Sequence, residues 1–353
     1  MTSNFYVLSM RDVNNSPANC CAIEFEDVIV KSLDANLINS KDAHHLNNLR
    51  NNDSSANYLI LAVITIHDVL HLLQSVNQYL SSFDGIYAYV FDAIINPYDL
   101  NKPIWKKVIS KNNRAIKKLT HLFVPFKSSV NAFAEAYSIP VSYVPMASDV
   151  LEYGGYSQYK FIDINGYGRQ NITYSNLISK AFNCRESKRI YHHTDHMHIG
   201  GINDIYAHRR FFWQVLRGSK IALAFDSMYA NNNNRFNFSF VGQRWFESTA
   251  AGCVVLGKRP TCPEMNEIFD WDNSTIEVPE SPADFLPFIE ALLENETALT
   301  NIGIDNYIHA LEKNDWRYRL LQILEVARID PPSKLLSEIL LLSDRKQFFV
   351  KSD

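Results

Sequence analysis

Short apolar runs alternate with amphipathic stretches over most of the chain. In the first half, Phe5 to Met10, Tyr58 to Ile64, Gly85 to Phe91, Leu122 to Pro125 and Val141 to Val144 have the length and apolar content of buried strands. Between them, Pro17 to Ser32, Asp68 to Leu80, Ile104 to Leu119 and Ser128 to Tyr137 read as helices, with Ser16 as a cap and Pro17 in the first turn. The polar stretch Ser148 to Tyr159, with Gly154 and Gly155, interrupts the alternation and reads as a linker. The pattern restarts with strands at Lys160 to Ile164, Lys188 to Tyr191, Ile221 to Phe225, Cys253 to Leu256 and Thr275 to Val278. Helices are expected over Asp204 to Leu216, Ala283 to Leu293, Thr297 to Leu311 and Trp316 to Val326, and Arg345 to Asp353 reads as a frayed tail. Strands separated by helices indicate parallel, doubly wound sheets, so an α/β chain of two such domains is expected.

Composition narrows the function classes. The chain has 353 residues, 46% hydrophobic and 20% charged, enough to form a substantial core and far from the signature of disorder. A net charge of -4 argues against a dedicated nucleic-acid binder. The N-terminus lacks a basic stretch followed by an apolar core, and the run Ala56 to Ile66 is too short to span a bilayer. Five cysteines, with Cys20 and Cys21 adjacent, do not form a disulfide framework pattern. A cytoplasmic protein is the expectation, with at most a peripheral membrane contact through Phe348, Phe349 and Lys351.

Residues 239–257, SFVGQRWFESTAAGCVVLG, carry the most chemistry. They read as a loop, a helix opened by Gly242, a stop at Gly252 and a buried strand. Gly242 lets a ligand approach the helix start, where unpaired N–H groups and the positive dipole end attract phosphate. Glu247 lies a little over one turn further on, within reach of a ribose hydroxyl pair. A diphosphate site beside a carboxylate suits a nucleotide-sugar.

The segment resembles the donor-binding motif of GT-B glycosyltransferases (glycosyl transferases group 1). Gly242, Glu247, Ala250, Ala251 and Gly252 fall in register with that motif, and Ser239 stands where the family has its first Glu. Pro263-Glu264 resembles the family's Pro-Glu after the same strand, and 315–324 resembles the closing helix of a bacterial subgroup related to spore-maturation proteins. The resemblance implies two Rossmann-like domains facing a cleft. Residues 1–150 would form the acceptor-side domain, 151–328 the donor domain, and 329–353 a helix returning to the first domain before the tail. It implies a donor site of Gly242, Gln243, Arg244, Glu247 and Ser248, with Glu264 near the transferred sugar and Lys258 and Arg259 near the diphosphate. Arg169, in the turn Gly166-Tyr167-Gly168-Arg169, would clasp the diphosphate, while Tyr174 takes the place of the family's Lys. The implied co-substrate is a nucleoside-diphosphate sugar, and the implied partner is a glycan or lipid-linked glycan acceptor of bacterial surface polysaccharide synthesis. No nucleic acid, metal or other cofactor is expected.

Other candidates remain open at this stage. His192, His193, His196 and His198 place four of the 11 histidines within seven positions, with Asp195 among them. Their spacing matches no helical His-Glu-x-x-His arrangement and no Cys/His ribbon, although a metal-dependent hydrolase is an alternative. His193 and His196 are expected to face the ligand, because imidazoles both donate to and accept from sugar hydroxyls. His208, Arg209 and Arg210 read as a basic face on a surface helix. An inverting transfer needs a base near the acceptor hydroxyl. Asp92 fits the end of a strand in the first domain, with Asp12 and His67 behind it. A non-catalytic nucleotide- or glycan-binding relative is a further alternative, as is a phosphorylase or sugar epimerase. The sequence leaves retention or inversion of configuration open.

Overall fold

The structure is a computed structural model that describes residues 3–12, 16–42, 44, 46, 55–94, 114–168, 170–194, 202–230 and 238–350. The chain divides into two compact units. Residues 1–145, 201–203 and 316–339 form the first, and residues 146–200, 204–315 and 340–353 the second.

The first unit is built on a six-stranded sheet of order β2-β1-β3-β4-β5-β6, parallel throughout. Its strands are β1 (Ser3–Ser9), β2 (Asn36–Asn39), β3 (Ala56–Val63), β4 (Gly85–Val90), β5 (His121–Val124) and β6 (Val141–Tyr143). Helix α1 (Cys20–Leu33) carries the chain from β1 to β2, after a short 3-10 turn at Pro17–Asn19 in which the Ser16 side chain accepts from the Ala18 N–H. Helix α2 (Ile66–Ser75) follows β3 and starts earlier than its sequence suggests. Thr65 and Asp68 form a capping box there, each satisfying the other's backbone N–H. The order reverses between β1 and β3, and that is the switch point of the sheet. Trp316, at the start of helix 316–327, stacks on Phe25 at 4.3 Å and meets Tyr89 and Phe91 edge-on. The aromatic cluster is fully buried, at about 1.5–3 kcal/mol for each large side chain.

The second unit repeats the plan with five strands in the order β11-β10-β9-β7-β8, again all parallel. These are β7 (Ile162–Gly166), β8 (Tyr191–His193), β9 (Ser219–Phe225), β10 (Val254–Lys258) and β11 (Ile276–Glu277). Counted from its own first strand, the order is the same 2-1-3-4-5, with the switch point between β7 and β9. Strand β9 is buried at Ile221 through Phe225 without a break, as expected of a parallel strand covered on both faces. Helix 172–182, capped by Asn171, and strand β2 are additions to the sequence-based layout.

Residues 333–350 form a helix, where a frayed tail from Arg345 was expected, and 351–353 lie outside the described residues. Arg345 donates to the carbonyls of Val150 and Leu151, and Phe349 packs edge-on against Tyr307, which holds this turn in place. Among the described residues, no helix is long and apolar enough to cross a membrane.

Candidate functional site

The switch point of the second unit is where its sheet can receive a ligand. Tyr167, just past β7, reaches from that point to the helix Gln243–Ala250, here called the donor helix. Its hydroxyl donates to the Arg244 carbonyl at 3.1 Å and lies 3.0 Å from Ser248 Oγ. Burial, with Glu247 nearby, pushes the Tyr167 phenol well above its ordinary range, so it stays a proton donor. The start of the donor helix is thereby fastened to the strand ends.

Gly242 is the N-cap of that helix, with φ -85 and ψ 164, and no side chain caps the first turn. A Cβ added there would meet nothing closer than Phe240 at 3.9 Å. Neither backbone conformation nor packing requires glycine at this position. Gly252 is different: its φ of +63 and the Tyr156 ring 2.8 Å from a would-be Cβ exclude any side chain. The left-handed stop expected at Gly252 is thus present.

Glu247 is buried, and one of its oxygens accepts from Arg209 Nη2 at 2.7 Å. Arg209 is therefore no part of a solvated basic face. Its guanidinium lies 4.4 Å from the Phe212 ring centroid, in the interior, while Arg210 stays exposed. Doubled arginines on a helix read as surface, and only the apolar positions one turn away, Phe212 and Trp213, betray that one of them points inward.

The remaining expected donor residues separate into different roles. Gln243 gives its amide to the Ala147 carbonyl at 2.7 Å, and its buried Oε1 has no partner among the described residues. Arg244 is half-buried beside it. Ser248 is a correction: it is fully buried with its hydroxyl on Tyr167, so it braces the helix and offers no surface to a ligand. Lys258, at the end of β10, pairs with Glu277 at 3.3 Å. Arg259 is likewise corrected, because its guanidinium binds Ser274 Oγ and the Phe269 carbonyl, both at 2.7 Å, instead of facing a diphosphate. Glu264 is buried and hydrogen-bonded to Cys262, whose thiol is pushed up to about 11, first by burial and then by that carboxylate. Ser239 Oγ accepts from the Thr261 N–H at 2.8 Å, which ties the loop before the donor helix to the loop after β10.

His193 ends β8 and is exposed; His192 beside it is half-buried, 3.0 Å from Asn165 Oδ1, and burial lowers its pKa. His196, the other histidine expected at the ligand, and Arg169 lie outside the described residues, as do Asp195, His198 and most of the expected helix Ile104 to Leu119. Among the described residues, no group of three His, Cys, Asp or Glu is placed to hold a metal ion. In the first unit, Asp92 is exposed just beyond β4, its N–H donating to the Ile64 carbonyl at 2.7 Å. Sequence reasoning missed Glu26, a buried carboxylate at that unit's own switch point.

Comparison with known structures decides the architecture. HepE from Anabaena, crystallised with UDP-glucose, matches with a TM-score of 0.52 over 92% of this chain and 99% of its own, at 11% identity. The fold is GT-B-like. The S. aureus protein TarM matches at 0.44 and 14% identity, over 76% of this chain and 54% of its own. The α,α-trehalose 6-phosphate synthase of Burkholderia multivorans matches at 0.45 and 8% identity, over 92% and 81%. Residues 180–325 match the glycosyl transferase-like family, a span that includes Arg209, the donor helix and β10. No curated protein sequence matches the chain.

Proposed function

We propose that the chain is a glycosyltransferase that moves a sugar from a nucleoside-diphosphate sugar to a hydroxyl of a glycan or lipid-linked glycan, in bacterial surface polysaccharide synthesis. The observation that carries the reading is the donor helix. Its N-terminus is closed by a glycine that the chain does not itself need, and Glu247 is held rigidly one turn away by Arg209. Space beside a helix start, left clear by a glycine, fits a diphosphate approaching the backbone.

The reaction develops negative charge on the departing diphosphate. The helix dipole and first-turn N–H groups sit where that charge grows, which lowers the barrier without reorganisation. Gln243 Oε1 and Glu247 supply acceptors for ribose hydroxyls. Arg169 is proposed to approach the diphosphate and Glu264 the transferred sugar. The family match over residues 180–325 supports this assignment of the second unit.

The test is release of nucleoside diphosphate from UDP-glucose, GDP-mannose, ADP-glucose and dTDP-glucose, each with and without EDTA, over a panel of glycoside acceptors. UDP-glucose comes first because HepE was crystallised with it. Acceptor-dependent release from one donor, unaffected by EDTA, is the expected result. Binding of a nucleotide without any turnover favours the second reading, a non-catalytic relative. Ser239 motivates that reading, since it stands in the family's carboxylate position and is already engaged by the Thr261 N–H.

A further inference from the structure

Arg209 belongs to a small buried assembly beside the donor helix. The helix Ile205–Arg217 turns Arg209, Trp213 and Leu216 inward. The Arg209 guanidinium lies 4.4 Å from the ring centroid of Phe212 and 5.7 Å from that of Trp213. Those rings are themselves held: Tyr153 stacks on Trp213 at 5.8 Å, and Tyr167 meets Phe212 edge-on at 5.0 Å. From this frame Arg209 Nη2 donates to Glu247 Oε1 at 2.7 Å, with both side chains of the pair buried.

Glu247 is therefore fixed twice. Arg209 holds its side chain, and Tyr167 holds the helix on either side of it through the Arg244 carbonyl at 3.1 Å and Ser248 Oγ at 3.0 Å. Both anchors meet on one ring, that of Phe212. A charge pair buried this deeply adds little net stability over apolar packing of the same volume. What it does supply is direction. A planar guanidinium stacked on a ring loses little freedom when it forms a hydrogen bond, so it holds a carboxylate in one orientation. A carboxylate accepts at about four lone-pair positions, so a bond from Arg209 is compatible with bonds from the hydroxyls of a ligand.

We propose that Arg209 is a positioning residue: by fixing the Glu247 carboxylate, it sets the preference of the donor site for a nucleotide whose ribose carries both hydroxyls over one that lacks them. The inference rests on the donor-site reading above. Arg209 acts through Glu247 and not on the nucleotide. A hydroxyl that donates to a carboxylate makes a charge-assisted hydrogen bond, which weakens steeply when the two groups are misaligned. A carboxylate free to swing would lose those bonds, whereas the phosphate contacts at the helix start come from backbone N–H groups that Arg209 does not touch. The effect of disturbing Arg209 should therefore fall on the sugar hydroxyls alone.

The test uses the full chain and titration calorimetry with UDP, GDP and ADP, each beside its 2′,3′-dideoxy counterpart. The nucleotide that binds is expected to bind about 10- to 100-fold more tightly than its dideoxy form. Arg209→Lys keeps the charge without the planar fork, and should lower that ratio at least about fivefold while the dideoxy form binds within about threefold of the parent. Phe212→Leu keeps both charges and removes the ring beneath the guanidinium, and should lower the ratio about two- to threefold. Glu247→Gln should bring the two forms within about threefold of each other, and adding Arg209→Lys to it should change the ratio no further. The proposal is overturned if the parent binds both forms equally, if Arg209→Lys and Phe212→Leu keep the parent ratio, or if Arg209→Lys weakens both forms alike, as a purely structural role would. Failure of the donor reading shows differently: the parent then binds no nucleotide of either form, and this inference falls with it.

Discussion

The two units share a strand order, and each buries an arginine–glutamate pair near its switch point, yet the pairs are built differently. In the second unit, Arg209 lies on Phe212 and reaches Glu247 at 2.7 Å, with both side chains at least nine-tenths buried. In the first, Arg11 is divided between Glu26 and the more exposed Asp27. Burial is the largest influence on Glu26 and, against the lowering by Arg11 and Ser9, pushes its carboxyl up to about 7. One pair is suited to holding a carboxylate still, and the other to letting a carboxylate exchange a proton. The lesson is that residue identity and distance do not fix the role of a buried pair. Burial and the surrounding groups have to be read at each site.

Breaking the pairs should expose this difference most strongly. Arg209→Met strands the Glu247 charge in the interior, and a loss of about 3–5 kcal/mol is expected in chemical denaturation. Arg11→Met should cost no more than about half of that at pH 6, because Glu26, its carboxyl pushed up to about 7, is already largely protonated there and leaves little charge to strand. Equal losses for the two variants would contradict the comparison.

The next effect in size concerns the ligand side of the second unit. At a nucleotide concentration 100 times its dissociation constant, stabilisation of about 2.7 kcal/mol is expected. Gly242→Ala should remove most of it while changing the stability of the unliganded chain by no more than about 1 kcal/mol, since the added Cβ meets only ordinary contacts. A variant that keeps the full nucleotide shift would show that the space beside Gly242 is not used.

The proton on Glu26 gives a smaller, pH-dependent signature. Its folded-state pKa is raised from 4.5 to about 7, so the folded chain holds a proton there that the unfolded chain has released. Stability from this group is therefore lost as pH rises from about 4.5 to about 7 and changes little beyond. Thermal melts of the parent and Glu26→Gln should diverge over that window, with the parent losing ground as pH rises; parallel curves would sink the assignment. Smallest of all, Lys258→Ala should cost under about 1 kcal/mol, because its pairing with Glu277 is partly exposed.

Most of the architecture was legible because it rests on local pattern. Apolar runs such as 221–225 and 253–256 are long enough to mark buried parallel strands, and Ser16, Gly242 and Gly252 mark element ends through backbone chemistry. Strand β2 was missed because Asn36-Leu37-Ile38-Asn39 offers two apolar residues inside a polar frame, an edge strand with little to bury. The helix from Ile172 to Phe182 was hidden by the polar Asn171-Ile-Thr-Tyr-Ser-Asn start, although Asn171 proves to be its cap. Buried charge is the harder problem, since a pair such as Arg209 and Glu247 is separated by 38 positions and nothing local joins them. Glu26 did leave a signal. It lies on the face of α1 that also carries Ala22, Ile29 and Leu33, where a charge calls for a partner.

The most direct test of the donor-site assignment is thermal stability against UDP, GDP, ADP, CMP and dTDP, each with and without EDTA. The account predicts that one nucleoside diphosphate raises the melting temperature and that EDTA leaves the rise intact. No rise with any nucleotide, together with destabilisation by EDTA alone, would contradict it.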